Sequence, residues 1–395
     1  MVKFAHISDV HLGGWKQQPM QDLNFASFKL AIDKCIENKL NFVLIAGDLF
    51  DTAYPGIDIL KETFAQFKRL KDARITCFII AGSHDYSVSG KTFLDVLEKA
   101  GFCKNVTSFD PETTTSEERN NRIILNPTIH EGIAIYGYPG KKSGLEISDL
   151  RNIKLNDSPG MFKILMLHTT IDKAKGTLPI DAIETILLPK ADYYALGHLH
   201  IDFQYDNFVY PGPVFPNNFA ELEDLDHGSF YIVDTDSKNS LQKIELKIKQ
   251  TLQVQIKITN TTLGTEQIIS ELSKYDLTDK IILLRIFGEI QTGKTSELKF
   301  PQIEEFAKDK GAYFLLKNIH DLKEKGEEFD LKIDVKSEED IEKETIKVYS
   351  QENPSEFNSL IPELIHSLAV DKQEGEKIES FENRLLEIAR RIMKF

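Results

Sequence analysis

The chain has 395 residues, 41% of them hydrophobic, and a formal net charge of −14. That length exceeds one ordinary core and predicts two or three domains, while the acidic balance excludes a broad, sequence-blind nucleic-acid surface but not a local site where divalent cations supply positive charge. No apolar run approaches the ~20 residues that cross a bilayer, the segment MVKFAHISD lacks the pattern of a secretory signal, and Cys35, Cys77 and Cys103, without metal-type spacing, predict small buried thiols in a reducing, cytoplasmic setting.

From the amino end, VKFAHIS, NFVLIAG and ITCFIIAG are short apolar runs closed by polar or glycine-rich turns, the pattern of buried strands. FASFKLAIDKCIENK and GIDILKETFAQFKRL lie between them with helical periodicity, and the second sets Ile57, Leu60, Phe64 and Phe67 on one face. This β-α-β-α-β order predicts parallel strands joined by right-handed crossovers. The polar run KNVTSFDPETTTSEERNN reads as a surface loop. IAIYGYPG, FKILMLH, DYYALGH and SFYIVD then predict a second sheet packed on the first. From about residue 250, LQVQIKIT, KIILLRIFGEI and AYFLLK alternate with helical IISELSKY and QIEEFAKDKG, the order of a smaller α/β domain. The last stretch is charge-rich and helical, and EKIESFENRLLEIARRIMKF lines up Ile378, Phe381, Leu385, Ile388 and Ile392 as a stripe that needs a partner surface. The expected division is 1–245, 246–337 and 338–395.

Each predicted strand end carries ligand-type side chains. Asp9 and His11 follow the first, Asp48 and Asp51 lie in GDLFD, and Ser83, His84 and Asp85 lie in GSHD. His168 closes FKILMLH, and His198 and His200 close DYYALGHLH. Ligands of open α/β sheets gather outside the carboxyl ends of the strands, so these groups should meet. Polar strand ends arise singly by chance; five in this order do not. Two divalent ions about 3.5–4 Å apart clamp the attacking and leaving oxygens of a phosphoryl displacement. Asp48 is suited to bridge them, with Asp9, His11 and His200 completing one and His168 and His198 serving the other. Oxygen and imidazole donors without thiolate suit manganese, iron or zinc better than calcium. His84, spare as a ligand, is placed to give the leaving oxygen a proton, with Asp51 orienting its ring. Asp85 reads as a brace for its turn and His6 as packing beside the site, while His130, His227, His320 and His366 read as ordinary. Trp15 and Lys16 either meet DNA or serve their loop's own structure.

The series D-x-H, G-D-x-x-D, G-[N]-H-D, H and G-H-x-H resembles the calcineurin-like metallophosphoesterase superfamily over roughly residues 1–235. HISDVHLGG, GSHDYSVSGKTFLDVLEKAG, LGHLH and YPGPVFPNNFAE…GSFYIVD are similar, more narrowly, to the archaeal form of SbcD-type nuclease subunits of DNA double-strand-break repair. That resemblance implies a four-layered α-β-β-α sandwich, a smaller α/β capping domain and a C-terminal helical tail. It also implies two manganese ions, exonuclease action on DNA ends and endonuclease action on single strands, a homodimer, and a coiled-coil ATPase partner of the SbcC type at the nucleoid. The dimer contact would use the Ile57–Phe67 stripe and Phe93, Val96 and Leu97, residues that core packing would claim equally well. Ser83 departs from the family's asparagine; a hydroxyl is the shorter, weaker neutral ligand, so the second ion is expected to bind more loosely.

Two rival readings stand beside this one. A stand-alone phosphodiesterase or phosphatase for small phosphoesters is opposed by the extra domain and tail. A non-catalytic scaffold is opposed by the intact ligands and His84. GEIQTGKT, from Gly288 to Thr295, fits the Walker pattern letter by letter, yet SELKF follows and Pro301 opens the helix late, so no nucleotide site is expected.

Overall fold

The computed structural model describes residues 2–86, 90, 92–111, 123–177, 179–236, 240–324, 346, 355, 357–368 and 378–393. Of the expected polar loop, 104–121, residues 112–121 lie outside them, as do most of 325–356; Lys104–Asn105 and Phe109–Pro111 are strands, which corrects the expectation of a loop there. The chain forms two compact units, Met1–Glu324 and Lys325–Phe395.

The first unit is built on two six-stranded sheets. In the first sheet Lys3–Ile7, Phe42–Ala46, Thr76–Ile80 and Lys104–Asn105 run parallel, as the alternation of strand and helix predicts. Gly228–Asp234 pairs antiparallel with Lys3–Ile7, and Ser240–Leu246 closes that edge. This corrects the expectation that SFYIVD joins the second sheet. A strand buried on both faces reads the same whichever sheet receives it.

The second sheet has Ile133–Tyr138, Phe162–His168, Tyr193–Gly197 and Phe208–Pro211 as parallel neighbours. Strand alternation sorts the core into layers. Phe4, Phe42, Leu44, Phe78 and Ile80 face Ile135, Ile164, Met166 and Tyr193 between the sheets. Ala5, Ile7, Val43 and Ile45 face outward, onto the helices Gln18–Glu37 and Ile57–Asp72. Tyr136, Leu165, Leu167 and Leu196 cover the other outer face with the short helix Glu146–Leu150. The result is the α-β-β-α sandwich, each fully buried large side chain contributing about 1.5–3 kcal/mol.

The Ile57 stripe is only partly a core stripe: Phe67 is buried, but Ile57, at the helix's first position, is 81% exposed. On the neighbouring helix Leu97 is buried and Val96 exposed. A further sheet, Gln250–Lys257, Lys280–Ile290, Phe314–Asn318 and Leu322–Glu324, is all parallel and carries the helices Gly264–Leu272 and Phe300–Asp309. Its Ile281, Leu283 and Leu316 pack on Trp15, Met20, Leu23, Phe215 and Leu222 of the sandwich. Trp15 is therefore structural, 6% exposed, with its indole N–H donated to the Pro216 carbonyl at 2.9 Å. The Walker-like loop leads into a single 3-10 turn, Thr295–Glu297, and the Glu324 carboxylate accepts the Thr295 amide at 2.7 Å. A carboxylate thus occupies the backbone donor that a phosphate would need.

In the second unit the described helices are Ile361–Leu368 and Ile378–Met393. Phe381, Leu385, Ile388 and Ile392 are half-buried there, whereas the side chains of His366 and Ile378 lie outside the described residues. Among the described residues no helix is long and apolar enough to cross a membrane.

Candidate metal centre

The carboxyl ends of the parallel strands of both sheets open on one edge, and the backbone there bends sharply. Asp9, His11, Asp48 and His198 all adopt left-handed φ, at 50°, 46°, 50° and 97°. Left-handed backbone is uncommon for residues with a Cβ and costly to hold, so four together at strand ends need firm support from the packing around them. The bends turn the side chains back over the sheets. Asp9, His11 and His200 form one group of converging ligand atoms, Asp9, Asp48 and His168 a second, and His11, Asp48 and His84 a third.

Hydrogen bonds fix which ring nitrogen each histidine presents. His168 Nδ1 lies 2.9 Å from the Ala46 carbonyl and donates to it. His11 Nδ1 donates to Asp51 Oδ1 at 3.0 Å, and His200 Nδ1 to Glu221 Oε1 at 2.9 Å. All three rings therefore turn Nε2 lone pairs inward. His11 Nε2 and His200 Nε2 stand 3.0 Å apart, and His168 Nε2, buried without a hydrogen-bond partner, is 3.1 Å from Asp48 Oδ2. Electron-rich atoms face one another this closely only when a cation or a proton sits between them. A carboxylate or carbonyl behind each ring is the arrangement that orients metal-ligating imidazoles.

The carboxylates are equally constrained. Asp48 Oδ1 accepts the His84 amide at 2.8 Å, leaving Oδ2 between His168 Nε2 at 3.1 Å and His11 Nε2 at 3.6 Å. Asp9 Oδ2 accepts the Ser8 hydroxyl at 2.6 Å, and its Oδ1 accepts the His198 amide at 2.9 Å. Burial alone would raise Asp48, but His168 and then His11 hold it well below the usual carboxylate range. Burial opposes charge on His168 as well, yet Asp48 beside it pushes it up to about 10. His200, likewise buried, is raised to about 8 by Glu221 and Asp9. His198 goes the other way, down to about 4, through burial and the neighbouring His168. His168 and His200 thus retain the positive charge that the buried carboxylates require, and the residues present fit a divalent cation.

Of the residues the sequence singles out, the structure brings together Asp9, His11, Asp48, His84, His168 and His200. His198 adjoins through its ring, 5.2 Å from that of His168. Ser83, half-buried, sits in the turn just before His84. Asp85 is the expected brace: its carboxylate accepts the amides of Leu49, Phe50 and Gly82. Burial and the charge of Asp48 lift it to about 6. His6 packs between the sheets against the Tyr193 hydroxyl at 2.9 Å. The role expected of Asp51 changes. Its carboxylate orients the ring of His11, and it is its backbone carbonyl, 2.8 Å from His84 Nδ1, that orients His84. Its carboxylate lies 3.8 Å from that nitrogen.

Sequence reasoning missed Glu221 and Asn217. Glu221 holds His200 and accepts the Asn217 amide at 2.7 Å. The Asn217 side-chain amide lies 3.4 Å from Asp51 Oδ1. A signal was present: Asn218 caps the helix Phe219–Leu225 by accepting the Glu221 amide, so N-x-x-E marks a helix start with its glutamate turned back toward the entering chain.

The family model of the calcineurin-like phosphoesterases matches residues 2–202. The DNA double-strand break repair protein Mre11 of Methanocaldococcus jannaschii is 30% identical over 273 residues, covering 64% of this chain and 69% of the relative. Its namesake from Archaeoglobus fulgidus is 31% identical over 229 residues, 54% of this chain and 50% of the relative. The uncharacterized metallophosphoesterase YhaO of Bacillus subtilis is 26% identical over 257 residues, 61% of this chain and 60% of the relative. The chain thus spans between 50% and 69% of the length of these relatives.

Proposed function

The chain belongs to the calcineurin-like phosphoesterase family, and on that premise we propose that it is a two-metal DNA nuclease that trims double-strand ends and cuts single strands in break repair. One observation carries the reading: three imidazoles, each locked at Nδ1, aim Nε2 at the carboxylates of Asp9 and Asp48. The similarity to archaeal proteins named for DNA double-strand break repair supports DNA as the substrate.

Asp9, His11 and His200 would hold one ion and His168, His198 and Ser83 the other, with Asp48 serving both. Manganese fits the mixed oxygen and imidazole donors. Bound divalent ions supply stabilisation of charge on the phosphoryl oxygens and lower the pKa of an attacking water. The chain's own residues do the rest. His84 is the exposed member of the cluster, its side chain 48% accessible. Its Nδ1–H stays on the Asp51 carbonyl in either charge state, so a protonated ring keeps Nε2–H for the leaving oxygen. Asp85 fixes the backbone of the two loops that carry Asp48 and His84. Ser83, with its short hydroxyl, leaves the second ion more loosely held; manganese titration of Ser83→Asn, expected to tighten that ion, reads this directly.

The stretch 246–337 serves as the capping domain and 338–395 as the partner-binding region. The amphipathic helix Ile378–Met393 docks on the base of an SbcC-type coiled-coil ATPase, in the helix-against-helix mode. The nuclease acts in the cell interior, at the nucleoid, as a homodimer in which exposed Ile57 and Val96 are the available apolar contacts. Manganese-dependent digestion of linear duplex DNA, with and without the ATPase, tests the whole reading; no digestion under either condition would overturn it. Deleting the chain after Val370 should leave digestion by the isolated protein intact while abolishing co-purification with the ATPase. Full-affinity binding by the truncated chain would remove the helix as the docking element.

A further inference from the structure

The helix Phe219–Leu225 has seven residues, too few to persist in water alone, so its neighbours fix it. Residues two apart on a helix point to nearly opposite sides, and here the two sides have different owners. Glu221 faces the site and takes His200 Nδ1 at 2.9 Å. Glu223 faces the four-stranded sheet. There Arg285, in the strand Lys280–Ile290, donates Nε to Glu223 Oε1 at 3.0 Å and a second guanidinium nitrogen to Oε2. The same guanidinium lies over the Phe219 ring, 5.5 Å from its centre, and is steadied by Asp321 at 3.0 Å. Gln253, in the adjacent strand, donates to the Glu223 carbonyl at 2.7 Å. Between these contacts Leu222 is fully buried against Ile281, Leu283 and Leu316 of that sheet. The pair is no loose surface contact: the Arg285 and Glu223 side chains are 23% and 13% exposed.

We propose that Arg285 is a positioning residue for His200: the four-stranded sheet sets the orientation of this imidazole through a rigid seven-residue helix gripped at Glu223 and acting through Glu221. A displacement of the sheet, such as a bound macromolecule would cause, is then transmitted to one side of the metal centre and not to His168, whose Nδ1 is held by the Ala46 carbonyl. The bidentate fork is what makes the grip directional, since a lysine would supply charge without fixing an angle. This inference rests on the reading of His200 as a metal ligand, and the test separates the two.

Manganese alone is titrated calorimetrically into the metal-free full chain. Arg285→Ala should weaken one ion about 3- to 10-fold, less than the ~10–100-fold typical when the partner of a ligand histidine is itself removed. Glu223→Gln should act in the same direction, and the exchanged pair Arg285→Glu with Glu223→Arg should recover affinity. Tyr313→Phe is the control, because it removes another bond between the sheet and the sandwich, hydroxyl to Pro19 carbonyl at 3.1 Å, without touching the helix. It should leave manganese affinity at the wild-type value. Equal losses in Tyr313→Phe and Arg285→Ala would mean general loosening and overturn the relay, as would an exchanged pair that recovers nothing. His200→Ala distinguishes the levels. Wild-type affinity in that variant refutes the ligand reading, whereas a loss there with none in Arg285→Ala refutes only the relay. Should Arg285→Ala fail to fold, Arg285→Lys is read in the same way: reduced affinity supports the relay and wild-type affinity overturns it.

Discussion

His168 is walled in by backbone. A Cβ on Gly47, Gly140 or Gly197 would come within 2.2, 2.6 and 3.0 Å of its ring, and the Ala46 carbonyl takes its Nδ1. His200 is instead oriented at Nδ1 by a carboxylate, Glu221, from a short helix capped by Asn218, and its side chain is 20% exposed. The first arrangement is as rigid as the sheets themselves and leaves no room for adjustment, because moving the ring means moving a strand. The second can be shifted by whatever moves the helix. One metal centre therefore combines a fixed side and an adjustable side.

The sharpest way to break this comparison is Gly47→Ala. Gly47 has φ +90°, and the added Cβ would lie 2.2 Å from His168 Nδ1. Manganese affinity should fall on the order of 100-fold, with about 2–4 kcal/mol lost from stability in denaturant titration, from strain and overpacking together. Wild-type binding would mean the wall is softer than its geometry implies. His84→Gln tests a group belonging to neither side. Metal and DNA binding should persist while turnover drops about 10²–10⁴-fold, the usual contribution of a positioned acid; cleavage at the wild-type rate would end its assigned role. Glu221→Gln keeps a hydrogen-bond acceptor behind His200 but removes the charge, so manganese affinity should fall about 10-fold with thermal stability nearly unchanged. A loss as large as that of Gly47→Ala would erase the distinction between the sides.

The smallest effect concerns the slab between the sheets, on which both sides rest. Burial pushes His6 down to about 3, so it stays neutral in the fold while the unfolded chain protonates near pH 6.5. Its contribution is thus fully present above pH 6.5 and is lost as pH falls toward 3, by about 1.4 kcal/mol per unit. The non-titrating His6→Gln should flatten the acid limb of the stability profile by that slope. An unchanged slope measured by denaturant titration between pH 6 and 4 would assign the acid sensitivity elsewhere.

Strand ends were the legible part. Asp9, His11, Asp48, His84, His168 and His200 each follow an apolar run directly, so covalent order carried them to the same edge once the strands were parallel. The layers were legible for the same reason, since alternation in Lys3–Ile7 or Phe42–Ala46 assigns each side chain to a face. What could not be read was set by partners distant in the chain. Glu221 acquires its role from His200, and the Asp51 carboxylate turns to His11 because that ring is nearer than His84. Trp15, ambiguous in a loop, is claimed by Phe215 and by the four-stranded sheet. Ile57 fits its helical stripe but lies at the end of the helix, beyond the core.

The left-handed backbone at Asp9, His11, Asp48 and His198 has a consequence for heat. At roughly 1–2 kcal/mol each, the four hold conformational energy comparable to a sizeable part of the 5–15 kcal/mol that keeps a domain folded. Packing supplies it: the turns carry core residues, Val10, Leu12, Leu49 and Phe50, all at most 1% exposed. Opening these turns means opening the core, so amide exchange there should accelerate on warming only together with the strands. Heat is expected to remove the site and the fold in one step, and turns that exchange well before the strands in a temperature series would show otherwise.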